Sequence, residues 1–349
     1  MLYKIRNLFL FVVASLILIS CGSSKKAAKE KGEKQDSGMP SWVNNYKDDY
    51  PDLLYLSSLG VSEYKSIAEK QAYQGIASAF EVQIKSSQDS KEVTLESADS
   101  FTQTYSEVFN INTSTDQNLI NINTSESYFD EKSGKYYILA TLNKSQTSSM
   151  YQRDRTKLLN SSKSMYLDSY NESDPLIKIA LISNSIVMLE EVADIEAKLR
   201  ILDNASMPAD KFKSVHSLVL EREKILERVK VYINNSDDKV YSILKREFTS
   251  LGFKTSKEKD SALLLVDYTL NMEDSEVKNR DAKFVMWNLD VNLIHLQKNH
   301  SFGSYIASGR SSQLSAGAAR ERAYYDLEKK VDKEFRVFLI SKILRTEVK

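Results

Sequence analysis

Val285-Met286-Trp287-Asn288-Leu289-Asp290-Val291-Asn292-Leu293 sets Val285, Trp287, Leu289, Val291 and Leu293 on one face and Asn288, Asp290 and Asn292 on the other. Successive side chains of a strand point to opposite faces, so this period of two describes a strand with one face buried and one wet. Upstream, Val240, Ile243, Leu244, Phe248 and Leu251 recur at helical spacing and stop at Gly252. A strand opens at Leu263 and runs through Leu270. Downstream, His300 to Gly303 read as a turn and Tyr305 to Gly309 as a short strand. Ala316, Ala319, Ala323, Leu327, Val331, Phe335 and Phe338 then form the apolar stripe of a last helix. Residues 236–349 are therefore expected to be an α+β module in the order α-β-β-β-α.

Residues 144–235 carry no convincing strand pattern. Leu176, Ile179, Ala180, Ser183, Ile186, Val187, Glu190 and Ala197 follow i, i+3, i+4 spacing, and Pro175 suits a helix start. An earlier helix is expected over about 145–170. Phe212, Val215, Val219, Leu226, Val229 and Ile233 follow a third helical stripe. Breaks fall at Asn171-Glu172-Ser173-Asp174 and at Asn204-Ala205-Ser206-Met207-Pro208. Glu190-Glu191 and Glu221-Arg222-Glu223-Lys224 read as a solvated face.

Folded structure is expected to begin at Pro40-Ser41-Trp42-Val43. Leu53 to Leu59 is a strand candidate ending at Gly60, with Ser62 as an N-cap and Glu63 in the first helical turn. Ile67, Ala68, Ala72, Ile76, Ala79 and Phe80 then give a helix whose face of small residues lets it lie close on a sheet. Val82 and Ile84 alternate with Glu81, Gln83 and Lys85, which predicts a strand there, and 98–110 predicts a further helix. Leu119 to Phe129 and Tyr136 to Leu142 flank the polar turn Asp130–Lys135 and read as a hairpin. Trp42, Tyr46, Tyr50 and Tyr55 cluster near the start, either closing the sheet edge or offering an aromatic contact.

The opening Pro40-Ser41-Trp42-Val43, the Gly60 turn, the Ala68/Ala72/Ala79 helix and the closing Tyr137-Ile138-Leu139-Ala140-Thr141-Leu142 resemble the LPP20 lipoprotein family over residues 40–150. The resemblance implies a small sheet-plus-helix module in a bacterial envelope lipoprotein, and implies no catalytic residues. The α-β-β-β-α order of residues 236–349 is weakly similar to periplasmic modules of flagellar-assembly and curli-secretion lipoproteins, a likeness of element order alone. The expected fold class is α+β throughout: a sheet-plus-helix module at 40–143, a helical segment at 144–235 and a second α+β module at 236–349.

The chain before residue 40 reads as an address. Lys4 and Arg6 precede Leu8–Ile19, a run of 12 residues broken only by Ser15. A bilayer-spanning helix needs roughly 20 apolar residues, so the run has the length of a secretory signal. Leu18-Ile19-Ser20-Cys21 resembles the bacterial lipobox. The resemblance implies a diacylglycerol thioether on Cys21, cleavage between Ser20 and Cys21, and N-acylation of the new terminus. The rival expectation is an uncleaved anchor, since the chain is uncharged from Asn7 to Ser24. Residues 22–39 hold Lys, Glu, Gly and Ser with almost nothing apolar, the composition of a tether. Its reach is roughly 20–25 Å. Gly22 after the cysteine leans toward the outer membrane, because it is not an inner-membrane retention residue such as Asp.

The 349-residue chain has 48 basic and 48 acidic residues, so no net positive charge recommends a nucleic-acid partner. Removing Lys4 and Arg6 with the leader leaves two acidic groups in excess. Cys21 is the single cysteine, so its lipidation leaves no disulfide and no thiolate ligand. His216, His295 and His300 are the three histidines, too few and too dispersed to predict a metal site. His295 is expected at a strand edge with its ring in water. No GxSxG elbow, phosphate loop or GxGxxG is present, and no cofactor is expected. Asp48-Asp49 and Asp237-Asp238 read as caps. Gly309-Arg310-Ser311-Ser312, expected to lead into the last helix, either forms a connection or lets Arg310, Ser311 and Ser312 hold an anion or a partner at that helix N-terminus.

Together these observations predict a non-enzymatic lipoprotein of the bacterial envelope that binds or assembles partners. Its contacts are the membrane, through its lipid, and envelope proteins or peptidoglycan. Two alternatives stand beside this: capture of an envelope glycan or lipid in a cleft between modules, and hydrolysis at an unfamiliar site.

Overall fold

The computed structural model describes residues 38–89, 120–203, 212–275 and 282–343. It is a mixed α+β protein with a sheet-and-helix module at each end and a helical stretch between. After α1 (Ser41–Asn45), β1 (Tyr55–Ser62) and β2 (Ile122–Asp130) flank β3 (Lys135–Asn143) in a three-stranded antiparallel sheet. Helix α2 (Lys65–Asp89) packs on it through Ala68, Ala72, Ile76, Phe80 and Ile84, one residue per turn, against Ile138, Ala140 and Leu142 of β3. The approach is close because both surfaces are small. A Cβ on Gly60 would lie 1.9 Å from the Ala68 carbonyl oxygen.

Several expectations for this module move. β1 starts at Tyr55 and continues through Gly60 to Ser62, leaving Leu53 (85% exposed) and Leu54 outside it. Helix α2 begins at Lys65, and Ser62 Oγ accepts from the Tyr64 amide ahead of it instead of capping its first turn. The strand expected around Val82 and Ile84 is a continuation of α2. Ile84 keeps the four-residue rhythm of the buried face, whereas Val82 points into solvent. The expected helix at 98–110 lies outside the described residues. The hairpin forms as predicted, with Gly134 in the left-handed region at φ 66° and Asp130 accepting from the Lys132 and Ser133 amides.

Helices α3 (Lys144–Asn171) and α4 (Pro175–Asp203) form a hairpin, and α5 (Val215–Leu226) packs on α4. Small residues meet along the seam of the hairpin: the Ser162 and Ser185 hydroxyls are 2.8 Å apart and fully buried. The third helical stripe ends early. Lys230–Ile233 is a strand, β4, so the segment 144–235 does contain one. Val229 just ahead of β4 and Ile233 at its end are buried in the core around the second sheet and do not belong to a helix face. The expectation of a solvated face also fails at Arg222, which is 0% exposed.

Helix α6 (Asp238–Ser250) follows, capped by Asp237 Oδ1, which accepts from the Lys239 and Val240 amides. Gly252, at φ 88°, takes the left-handed turn after it. The second sheet has the order β5-β4-β6-β7-β8, with β5 (Lys254–Ser256), β6 (Leu264–Ser275), β7 (Lys283–His295) and β8 (His300–Gln313). β4 runs parallel to both of its neighbours, and β6, β7 and β8 are antiparallel. Val285, Trp287, Leu289, Val291 and Leu293 are all buried, as their alternation predicts. Helix α7 (Ala316–Ile343) lies over that face through Ala319, Ala323, Leu327, Val331 and Phe335. The turn expected at His300–Gly303 falls instead between His295 and His300, with Asn299 at φ 48°; His300 and Gly303 are already in β8.

Candidate functional site

A cleft of about 370 Å³ opens where the start of α4, the β7–β8 turn and the end of α7 converge. Each wall follows from local structure. Asp174 closes the break between α3 and α4 and accepts from the Leu176 amide at 2.9 Å, so its carboxylate is fixed by its capping role. His295 is the last residue of β7, and Lys298 lies in the tight turn that follows it. Ser341, Lys342 and Ile343 are the last described residues of α7.

Inside the cleft Asp174, His295 and Lys298 form a linked group. Asp174 is 8% exposed and His295 2% exposed. The expectation that the His295 ring stands in water is therefore overturned. The antiparallel register puts His295 opposite His300, and the strand end turns in under α4. Lys298 Nζ donates to Asp174 Oδ2. His295 Nε2 stands 3.4 Å from the same oxygen without making a hydrogen bond, and Nδ1 accepts from the Lys298 amide at 3.3 Å. Burial works to raise the Asp174 carboxyl, but the Lys298 ammonium, the Leu176 amide and the His295 ring outweigh it and hold the group below the ordinary aspartate range. His300 meets Phe302 edge-on, with ring centroids 5.6 Å apart.

This arrangement does not provide a nucleophilic triad. Nδ1 of His295 is taken up by a backbone amide and Nε2 faces a carboxylate, so no nitrogen is directed at a hydroxyl. The cleft serine, Ser341, donates to the Phe338 carbonyl of its own helix. Among the described residues there is no group of three or more His, Cys, Asp and Glu that could hold a metal ion. His216 is exposed on α5, away from the other two histidines in the sequence.

The remaining sequence candidates lie elsewhere. Arg310, Ser311 and Ser312 sit within β8 and not at the start of the last helix. Arg310 lies over the Phe284 ring at 4.1 Å, and Ser311 Oγ donates to Asp326 Oδ2 at 2.7 Å. Ser312 is exposed. Cys21 and Ser20 lie outside the described residues. Sequence reasoning named Asp174 only as part of a break and His295 only as a lone histidine. The signal that could have joined them is the placement of both at element ends.

No family model matches the chain, and no curated protein matches it. Among solved structures, the secreted protein HP1454 of Helicobacter pylori is 14% identical and has a TM-score of 0.43, covering 84% of this chain and 99% of its own. A lipoprotein of Caulobacter crescentus is 12% identical over 34% of this chain and 96% of its own, with a TM-score of 0.26. A minor lipoprotein of Acinetobacter baumannii is 15% identical over 32% of this chain and 94% of its own, with a TM-score of 0.23. At such values no function passes from these proteins to this one. No described helix is long and apolar enough to cross a membrane.

Proposed function

We propose that this chain is a non-catalytic binding protein of the bacterial envelope, held at a membrane leaflet by lipid on Cys21. Its contact site is the cleft at Asp174, His295 and Lys298. The observation that carries the binding role is the cleft itself. Charged and apolar side chains from three separate elements converge there, while His295 turns Nδ1 to the Lys298 amide and Nε2 toward Asp174. Ligand sites characteristically combine an apolar lining with a few placed polar groups. A cleft between the helical segment and the second sheet favours capture of a small envelope ligand over a purely structural scaffold.

The anchoring half rests on the sequence. A lone cysteine follows a short apolar run and precedes a polar tether. Each buried acyl CH2 contributes about 0.8 kcal/mol, so several chains on one residue hold a protein almost irreversibly. The LPP20 likeness supports the same address, and Gly22 favours the outer membrane. Envelope proteins or peptidoglycan within the tether's reach would then be partners at raised effective concentration.

Mass spectrometry of the protein purified from cell membranes tests the anchor. The expected N-terminal peptide begins at Cys21 and carries three acyl chains, and Cys21→Ser moves the protein to the soluble fraction. An uncut leader with a free thiol overturns the anchoring proposal.

A further inference from the structure

We infer that the cleft takes an organic anion: a carboxylate or phosphate group carried on a short apolar body. This rests on reading the cleft as the ligand site and does not depend on acylation of Cys21.

Charge is the first argument. Among the described residues Asp174 is the only acidic side chain lining the cleft, and it already serves Lys298 and the Leu176 amide. Lys342 also lines the cleft, is exposed, and has no ion-pair partner among the described residues. Lys298 and Lys342 against Asp174 leave one positive charge in surplus, with His300 beside them on the rim. The second argument is the helix start. Helix α4 is 29 residues long and begins at Pro175, so its positive dipole end faces the same space, although the Asp174 carboxylate that takes up the Leu176 amide offsets part of it. Both favour negative charge on the occupant.

The rest of the lining sets what carries that charge. Leu176, Ile177, Phe302 and Ile343 supply an apolar floor beneath the cationic rim. A bare inorganic anion would leave that floor in water, and a neutral hydrocarbon would leave Lys342 without a counter-charge. An amphiphilic anion satisfies both, and about 370 Å³ is ample for a short chain.

Calorimetric titration of the full mature chain tests this with four probes: sodium octanoate, octyl phosphate, sodium acetate and octan-1-ol. At least one of the two eight-carbon anions is expected to bind at one site, at least tenfold more tightly than acetate and than octan-1-ol. A preference for either head group supports the proposal and identifies the source as a carboxylate or a phosphate. Lys342→Gln, a change at an exposed side chain, is expected to weaken the anion at least fivefold and leave octan-1-ol unchanged. Lys239→Gln, on α6, is expected to change neither. Equal affinity for the anions and octan-1-ol, or an unchanged affinity in Lys342→Gln, overturns the anion assignment while leaving the cleft a ligand site. Failure of all four probes to bind overturns the assignment and the cleft reading together.

Discussion

His295 Nε2 at the end of β7 stands 3.4 Å from Asp174 Oδ2 at the start of α4. The helical hairpin and the second sheet are therefore joined by one carboxylate, which also serves Lys298 and caps the helix. Its capping and charge roles separate on substitution. Asp174→Ala removes both and is expected to lower unfolding stability by about 2–3 kcal/mol. Asp174→Asn retains an equally good cap and is expected to lose about 1 kcal/mol less than that. Urea titrations of the two variants at neutral pH read the difference, and equal losses would refute the capping assignment.

Two buried carboxyls move in opposite directions, which gives stability a shape against pH. Burial, only partly offset by Arg336, holds Glu247 above the ordinary glutamate value of 4.5. In the window above 4.5 the folded chain binds more protons than the unfolded one, so stability falls as pH rises through the window. Asp174 is held below 3.8, so its contribution is complete above that value and is lost as pH falls through the folded-state value. Urea midpoints are expected to rise as pH falls toward 4.5 and to drop once pH falls below 3.8. Glu247→Gln should flatten the limb just above pH 4.5; an unchanged slope would show that Glu247 does not titrate there.

Gly60 tests the close seating of α2 on β1. Because an added Cβ would meet backbone and not a yielding side-chain tip, Gly60→Ala is expected to cost about 3 kcal/mol or more. Gly317, near the start of α7, has nothing within 4 Å of an added Cβ. Gly317→Ala should be neutral or stabilising by up to about 1 kcal/mol. Thermal melts of the pair give the contrast directly.

Gly309 of β8 lies beneath the Trp287 indole of β7, where an added Cβ would come within 2.4 Å of Cζ2. Trp287 is buried, so Gly309→Ala is expected to displace the ring toward solvent and shift tryptophan emission to longer wavelength. An unmoved emission maximum would mean that the strands part instead.

What could be read from the residues follows from how long each pattern persists. The stripe of α4 and the alternation of β7 run long enough to declare their period. β4 and β5 are four and three residues long, and Val229 and Ile233 happen to continue a helical spacing, so local pattern assigns them to a helix. Val82 and Ile84 failed for the converse reason: a two-residue alternation inside a helix imitates a strand. Gly303 drew the turn to itself, although Asn299 supplies the left-handed residue. The cleft was not legible because Asp174, His295 and Lys342 meet only through the packing of α4 and α7 on the sheet. Their individual signals were a helix break, a lone histidine and the end of an amphipathic stripe.

Helix α4 passes through all three hydrophobic clusters. Leu176 and Ile179 lie in the core of the second sheet, Ile182 and Ile186 in the helical core, and Leu199 and Leu202 in the core of the first sheet. A continuous helix of 29 residues is a rod of roughly 43 Å. It acts as a ruler that fixes the spacing of the two sheets and their rotational phase. One residue inserted at its midpoint would shift the far end by about 1.5 Å and swing it by about 100°. Neither sheet could then keep its present grip, so the length of this rod tolerates sequence change but not a gain or loss of residues.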